Sequence, residues 1–310
     1  MKIVESRLDA VATEAKAAVG VGFFDGLHLG HGAVLGAALK AARAAGAEAW
    51  ALTFARHPRA VLEDGAEPPL LMAPERRVEA IAGLGFDGVC RVGFDAAIAA
   101  LSPEAFVARV SEVFPALRAI SCGANWRFGK DGAGTPETLA ALGEARGWRV
   151  EAAPVALFGG APVSSTRIRA AVAAGDLGGA AAMLGRPFSI CGRVVHGRRV
   201  GAAIGFPTAN IDTAGLAIPP TGVYAVDVAL GAGLVRGVAD LGWRPTFPGD
   251  RPAAPVLEVH LIDAGADLYG EWLDVRFLKR LRDEVAFPTR EALAAQIAAD
   301  ITAARECRAR

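Results

Sequence analysis

Short apolar runs alternate with longer amphipathic segments through the first half of the chain. The runs predict β-strands at residues 19–21, 49–54, 89–92, 119–122 and 148–155. The segments between them predict helices at residues 32–45, 75–83, 103–113 and 136–146. Gly46 is placed to end the first of these helices, and Thr135 followed by Pro136 to begin the last. The alternation predicts an α/β fold, a doubly wound parallel sheet with helices on both faces.

The pattern changes near residue 185. From there, β-rich segments separated by Gly- and Pro-containing turns follow one another at residues 189–195, 224–230, 235–239, 256–262 and 272–277. Only the stretch from Thr289 onward is helical, with Leu293, Ile297 and Ile301 spaced four residues apart. This half is predicted to form a small antiparallel β-barrel or sandwich closed by a C-terminal helix. We therefore predict two domains, residues 1–184 and residues 185–310.

The composition restricts the classes of function. The chain has 310 residues, and 33 basic side chains balance 33 acidic ones, so the overall charge gives no support for a nucleic-acid or membrane partner. No apolar stretch approaches the roughly 20 residues that a membrane span needs, and the polar N-terminus does not resemble a signal peptide. The four scattered cysteines predict free thiols. We expect a cytoplasmic protein, and weak self-association is left open.

The strongest local motif follows the first predicted strand. It is Gly22-Phe23-Phe24-Asp25-Gly26-Leu27-His28-Leu29-Gly30-His31, and it leads into a helix. Its glycines allow a tight turn and a close approach to a ligand, and the N-terminus of a helix suits a phosphate group. A lone histidine is more often structural, but His28 and His31 together at a strand–helix junction favour phosphate binding.

A second motif, Ser164-Ser165-Thr166-Arg167-Ile168-Arg169, begins another predicted helix. A Ser or Thr at this position also serves as an ordinary N-cap. The two arginines nevertheless favour an anion. Two phosphate-binding helix starts in one α/β domain predict a nucleoside triphosphate as ligand.

The second half carries a Gly-punctuated basic loop that ends in Gly205-Phe206-Pro207-Thr208-Ala209-Asn210. On an extended chain Thr208 and Asn210 would point their oxygens to the same side, and hydroxyl and amide oxygens suit a hard cation such as Mg²⁺. On spacing alone, an ordinary turn remains the simpler interpretation.

The motifs of the first half resemble a known family. The pair His28-x-x-His31 and Ser164-Ser165-Thr166-x-x-Arg169 is similar to that of the nucleotidylyltransferase superfamily. Together with Thr53-Phe54-x-x-His57-Pro58 and Gly123-x-Asn125-x-Arg127-Phe128-Gly129, it resembles the adenylylating half of bacterial bifunctional riboflavin kinase/FAD synthetases. The resemblance implies transfer of AMP from ATP to FMN, giving FAD and pyrophosphate. It implies His28 and His31 as catalytic residues, and as further ATP-binding residues Gly22, Phe24, Asp25, Gly30, Asn125, Ser164, Ser165, Thr166 and Arg169.

The motifs of the second half resemble the riboflavin kinase of the same family. They are the run 192–210, Gly222-Val223-Tyr224, Gly242-x-Arg244-Pro245-Thr246-Phe247, Leu257-Glu258-Val259-His260, Asp267-Leu268-Tyr269-Gly270 and Phe277-Leu278-x-x-Leu281-Arg282-Asp283-Glu284. By this resemblance, Glu258 is the general base for the terminal hydroxyl of riboflavin, while Thr208 and Asn210 hold Mg²⁺ with ATP. Further contacts to ATP or flavin are implied for Gly192, His196, Gly197, Gly201, Gly205, Pro207 and Arg282.

Some positions depart from the family pattern. In the first half, Phe23 replaces a usual Asn or Val, and Arg56 a usual Pro; in the second, Ala202, Asp240 and Trp243 replace Arg, Asn and a small residue. The second group leaves open a monofunctional FMN adenylyltransferase with an impaired kinase half. A flavin- or nucleotide-binding regulator without turnover is also left open, as is a nucleotidylyltransferase that acts on a different phosphate ester. Because both halves hold complete sets of catalytic residue types, the bifunctional enzyme is the favoured hypothesis.

Overall fold

The computed structural model describes residues 1–62, 67–196, 205–231, 233–243, 255–264 and 268–307. The chain divides into two compact units. The first comprises Met1–Pro68 and Pro74–Ser165, and the second comprises Pro69–Ala73 and Thr166–Arg310. Among the described residues, no helix is both long enough and apolar enough to cross a bilayer.

The first unit is built on a six-stranded sheet in the order β1-β4-β3-β2-β5-β6. Every neighbouring pair is parallel, as predicted. The strands are β1 (Lys2–Ser6), β2 (Ala17–Val21), β3 (Glu48–Phe54), β4 (Gly88–Val92), β5 (Leu117–Gly123) and β6 (Arg149–Ala153). The pattern did not predict β1, because this edge strand is mostly exposed and mixes charged with apolar residues.

Helices α1 (Leu29–Ala45), α2 (Arg59–Leu62), α3 (Pro74–Gly83), α4 (Ala96–Ala99), α5 (Pro103–Val113) and α6 (Pro136–Glu144) connect these strands. The predicted caps are confirmed: Gly46 ends α1 in the left-handed conformation, and the Thr135 hydroxyl accepts from the Thr138 N–H at the start of α6. A short hairpin, β7 (Leu157–Phe158) with β8 (Ala161–Pro162), follows β6.

Two hydrophobic clusters cover the two faces of the sheet. Alternate residues of each strand face opposite sides, so that Val19 and Leu52 join one cluster while Ala18 and Ala51 join the other. Helix α1 packs on the second cluster through Leu35, and helices α5 and α6 supply buried residues to the first. The parallel strands are therefore apolar on both sides.

The second unit is a closed barrel in the order β10-β13-β12-β11-β14-β9. Its strands are β9 (Ser189–Val195), β10 (Ala209–Ile211), β11 (Gly222–Leu230), β12 (Gly233–Gly242), β13 (Val256–Leu261) and β14 (Trp272–Arg282). All neighbouring strands are antiparallel, which confirms the predicted barrel. Thr289 caps the C-terminal helix α9 (Arg290–Glu306), which packs on Val223 and Ala225 of β11.

Helices α7 (Ser165–Ala173) and α8 (Leu177–Leu184) precede the barrel. By their contacts, residues 166 onward belong to the second unit, whereas we predicted a boundary between Leu184 and Gly185. The segment Pro69–Ala73 also belongs to this unit, because the Leu70 N–H donates to the Gly215 carbonyl and the Ala217 N–H to the Leu70 carbonyl, each at 2.8 Å. The functional boundary at 184/185 stays a prediction.

Candidate active sites

The loops that leave β2 and β5 mark the switch point of the parallel sheet. From β2 the chain continues to β3 on one side, whereas β5 and β6 lie on the other. In sheets of this kind, ligands bind at the carboxyl ends of the two strands where the order reverses. Here those ends lead into Gly22 and into Gly123, which are the first residues of two predicted motifs.

The loop after β2 has an unusual backbone. Phe24, Gly26 and Leu27 have φ angles of 59°, 79° and 44°. Only Gly26 adopts this region without steric cost, so the loop holds two strained residues directly before the histidine pair. The Gly22 N–H donates to the Leu52 carbonyl, and Asp25 is completely buried.

The two histidines lie together at the N-terminus of α1. His28 is the N-cap, and its Nδ1 accepts from the His31 N–H at 3.3 Å. Their rings stack with centroids 3.6 Å apart, and a Cβ on Gly30 would crowd the His28 ring at 3.2 Å. Burial, followed by the charges of His28 and Arg77, holds the pKa of His31 well below its usual value. The pair therefore presents polar imidazoles, with His31 uncharged, where the helix dipole attracts anions.

The end of β3 supports this loop. The Thr53 hydroxyl donates to the Phe23 carbonyl at 2.9 Å, and the Phe23 ring meets the His57 ring edge-on at 4.7 Å. Arg77 of α3 lies over Phe23 and donates to the Phe54 carbonyl. The motifs did not identify Arg77, although an arginine beside Val78 on the buried face of α3 was a visible signal.

Helix α7 begins beside the same loop. The Ser165 hydroxyl donates to the Asp25 carbonyl at 3.0 Å, which joins two motifs that are 140 residues apart. Ser164 directly precedes this helix, and Thr166 and Arg169 lie on it as predicted. Asn125 is exposed on the loop after β5, next to stacked Trp126 and Phe128 rings.

The barrel contains a cavity of about 320 Å³. Its apolar wall comes from the β14–α9 connection and from α9, and its polar wall from β12, β13 and the residues before β10. The lining residues are Phe206, Thr208, Val223, Val238, Asp240, Glu258, His260, Arg282, Glu284, Val285, Phe287, Leu293, Ile297 and Asp300. An apolar cavity with a few converging polar groups is typical of a small-molecule site.

Glu258 is at the centre of the polar wall. The Thr208 hydroxyl donates to its Oε2 at 3.3 Å, and Asn210 lies directly opposite it in the β10–β13 register. The His260 ring hydrogen-bonds through Nδ1 to the Pro207 carbonyl at 2.8 Å, which attaches the Pro-Thr-Ala-Asn segment to β13. The structure thus brings together the predicted base and the two predicted metal ligands.

Asp240 and Asp300 also line the cavity, although neither was predicted as a site residue. Asp240 is opposite Glu258 in the β12–β13 register. Burial, and then the charges of Glu284 and Glu258, raise the pKa of Asp240 to about 6. Asp300 of α9 forms a bidentate ion pair with Arg282, in which Nη2 donates to Oδ2 at 2.8 Å and Nε donates to Oδ1 at 3.0 Å.

The other residues predicted for this site fall between positions 192 and 205 of the chain. Gly192 has no room for a side chain, since a Cβ would lie 2.4 Å from the Asp212 carbonyl oxygen. The His196 ring stacks on Tyr269 at 4.3 Å, and Gly205 has a φ of 88°. The predictions for Gly197 and Gly201, the departure Ala202, and the motif residues 244–247 and Asp267 lie outside the described residues.

These features define a class of protein: a two-unit α/β and barrel protein with a candidate anion site at the switch point of a parallel sheet and a cavity of small-molecule size in the barrel unit. Family models agree with this division, since one described as FAD synthetase matches residues 10–167 and one described as riboflavin kinase matches residues 184–308. The chain belongs to the bifunctional riboflavin kinase/FMN adenylyltransferase family.

Curated relatives with that name cover both halves. The Pseudomonas fluorescens protein is 38% identical over 92% of this chain and 91% of its own length. The Escherichia coli K12 protein is 36% identical over 92% of this chain and 91% of its own length. The Bacillus subtilis 168 protein is 36% identical over 93% of this chain and 91% of its own length. A solved structure from Streptococcus pneumoniae, described as a macrolide-efflux protein, covers 99% of this chain and 100% of its own, with a TM-score of 0.84 and 30% identity. It shares the fold.

Proposed function

We propose the following residue roles for the two reactions of this family, phosphorylation of riboflavin and adenylylation of FMN. For adenylyl transfer, the N-terminus of α1 with His28 and His31 binds the phosphates of ATP. Ser164, Ser165, Thr166 and Arg169 of the α7 motif contribute further donors, and Asn125 holds the nucleotide. An oxygen of the FMN phosphate attacks the α-phosphorus of ATP, and pyrophosphate leaves. The residues contribute by positioning and by stabilising developing charge.

For phosphorylation, Glu258 accepts the proton of the terminal hydroxyl of riboflavin as its oxygen attacks the γ-phosphorus of ATP, and ADP leaves. The observation that carries this assignment is the contact between Thr208 and Glu258 on the polar wall of the barrel cavity. The apolar wall, which includes Val285, Phe287 and Leu293, suits an aromatic flavin ring.

The donor set fits Mg²⁺ as a companion of ATP. Among the described residues, no group of three His, Cys, Asp or Glu side chains could hold a metal by itself. Thr208 and Asn210 offer hard oxygen ligands, which suits a cation that takes its remaining ligands from water and phosphate. The ion would neutralise phosphate charge. A cytoplasmic location remains a prediction, as does weak self-association.

The test is to separate flavins after incubation with ATP and Mg²⁺, starting either from riboflavin or from FMN. Wild-type protein should convert riboflavin to FMN and FAD, and FMN to FAD. We expect His28→Ala to lower FAD formation from FMN by about 100-fold or more while FMN formation persists. Glu258→Gln should lower riboflavin phosphorylation by a similar factor while FAD formation from FMN persists.

Each variant is the folding control for the other, because each should lose one reaction and keep the other. Loss of both reactions in either variant would contradict the division of labour between the two sites. A wild-type protein that converts FMN but not riboflavin would support the monofunctional alternative.

A further inference from the structure

A row of side chains crosses five neighbouring strands on the wall of the barrel cavity. Glu258 of β13 is opposite Asn210 of β10 on one side and opposite Asp240 of β12 on the other. Asp240 is in turn opposite Val223 of β11, and Val223 is opposite Arg282 of β14. Residues directly opposite in antiparallel strands project to the same face, with Cβ atoms about 4.5–5.5 Å apart. The five positions therefore form one line, and all except Asn210 line the cavity.

The two ends of this row differ in chemistry. At the β10 end, Asn210 is a proposed Mg²⁺ ligand and lies opposite the proposed base, Glu258. At the β14 end, the guanidinium carbon of Arg282 lies 5.7 Å from the centroid of the Phe287 ring, which is part of the apolar wall. The proposed mechanism puts the phosphates of ATP at the first end and the flavin ring at the second. Asp240 lies between these two ends, directly next to the base.

The Asp240 carboxylate is available to a ligand. Its side chain belongs to the cavity wall but is exposed, and within the described part of the chain it takes part in no hydrogen bond or ion pair. Two other carboxylates of the wall have partners, since Glu258 accepts from Thr208 and Asp300 accepts from Arg282.

A fourth carboxylate, that of Glu284, lies off the row. It packs against Gly242, which is two residues further along β12 than Asp240. Asp240 is therefore the acceptor on the line between the proposed base and the apolar wall.

The substrate has hydrogen-bond donors for this position. In riboflavin, a ribityl chain connects the aromatic ring to the terminal hydroxyl, and the chain carries three more hydroxyl groups between them. An ionised carboxylate only accepts hydrogen bonds, and its two oxygens form strong ones with hydroxyl donors. The same group would repel a phosphate. Its chemistry thus matches the ribityl chain and not the nucleotide.

We propose that Asp240 binds the ribityl chain of riboflavin by accepting hydrogen bonds from its inner hydroxyls, and that it makes the kinase selective for a hydroxylated side chain. This inference rests on the proposed roles of Glu258 and of the apolar wall in riboflavin phosphorylation. It gives a use to a departure from the family pattern, because Asp offers two acceptor oxygens where the expected Asn offers one.

The test compares two substrates of the full-length protein. One is riboflavin, and the other is the same flavin with a hydroxypentyl chain, which keeps the terminal hydroxyl and lacks the inner ones. The selectivity is the ratio of kcat/KM for the two, measured with ATP and Mg²⁺ by separating the phosphorylated flavins. Wild-type protein should prefer riboflavin at least about tenfold, mainly through KM. Equal kcat/KM values would overturn the proposal without any variant.

Variants assign the selectivity to Asp240. Asp240→Ala should lower it about tenfold, because both acceptor oxygens are lost. Asp240→Asn should keep most of it, because the amide oxygen still accepts. Changes in barrel stability or in ATP binding affect both substrates alike, so they cancel in the ratio. The matched control is Asp263→Asn, which removes an exposed carboxylate of the same unit and should leave the selectivity unchanged.

The two proposals fail in different ways. Wild-type selectivity in Asp240→Ala would overturn the role of Asp240, even if Glu258→Gln is inactive as a kinase. If Glu258→Gln still phosphorylates riboflavin while Asp240→Ala loses the selectivity, the proposed base is wrong and the role of Asp240 stands.

Discussion

Asp240 adds an acidic group next to Glu258 on the cavity wall. From the family resemblance we expected Asn at this position, and the departure put the rate or substrate affinity of the kinase in question. The structure puts Asp240 opposite Glu258 on the cavity wall, with Glu284 and Glu258 both raising its pKa. Replacing Asp240 with Asn would therefore remove its repulsion with Glu284 and Glu258 without changing the shape of the cavity wall.

We predict that Asp240→Asn stabilises the barrel in a pH-dependent way. The folded protein binds the Asp240 proton more tightly than the unfolded chain does, because the pKa rises from 3.8 to about 6. Wild-type stability should thus be fully present below about pH 4 and decrease as the pH rises to 6. The advantage of Asp240→Asn should grow over that interval and level off above it, as measured by urea titrations with hydrogen exchange of β11 and β12.

Glu284→Gln should reduce this pH-dependent gain, because Glu284 is the first charge that raises the pKa of Asp240. An equal difference between Asp240→Asn and wild type at pH 4 and pH 7 would contradict the prediction.

At the scale of elements, one buried ion pair docks the C-terminal helix. Asp300 is 4% exposed and accepts three hydrogen bonds from Arg282 of β14, while Gln296 donates to its Oδ1 at 2.9 Å. Arg236 of β12 adds a hydrogen bond to the Ala304 carbonyl near the end of α9. Because α9 supplies part of the apolar wall of the cavity, these contacts also shape the proposed flavin site.

We expect Asp300→Ala to lower the free energy of unfolding of the barrel by about 2–3 kcal/mol, because it leaves Arg282 half-buried without its partner. The KM for riboflavin should rise as α9 loosens. Asp263→Asn is the matched control, since Asn tolerates the left-handed backbone of residue 263, and the Asp263–Arg305 pair has exposed side chains (78% and 55%) and should contribute less than about 1 kcal/mol. Equal losses in the two variants, measured by urea unfolding, would refute the assignment.

At the scale of the whole molecule, the two activities correspond to two separate sets of contacts. The sheet has its own pair of hydrophobic clusters, and the barrel with α9 has another. The second unit also includes α8, most of α7 and the distant segment Pro69–Ala73. Pro69–Ala73 is held to this unit by an isolated parallel β-bridge between Leu70 and Leu216.

We predict that a fragment of residues 164–310 folds and converts riboflavin to FMN but makes no FAD. It would lack the Leu70 hydrogen bonds to Gly215 and Ala217, so its barrel should melt at least about 4 °C below the barrel of the full chain. The measurement is calorimetry together with flavin chromatography. A fragment without riboflavin kinase activity, or one as stable as the intact barrel, would contradict this prediction.

The sequence by itself determined the order and type of most elements, because apolar periodicity and capping residues act locally. Strands β2 to β6, helices α1, α3, α5 and α6, the barrel and α9 followed from those local patterns. The motifs also carried the family, because the residues of each motif lie close together along the chain, as His28 and His31 do. Short elements such as β10, with three residues, left too little pattern to be predicted.

Only the tertiary structure decided which distant residues share a site. Strand order brings the ends of β2 and β5 together, the hydrogen bond from Ser165 to Asp25 joins two motifs, and strand register puts Asp240 against Glu258. The position of Arg77 was also decided by the tertiary structure, because its stacking on Phe23 depends on packing between α3 and the β2–α1 loop. Burial and neighbouring charge shift the pKa values of His31 and Asp240, and these effects arise largely from contacts between residues far apart in the chain, which local patterns do not encode.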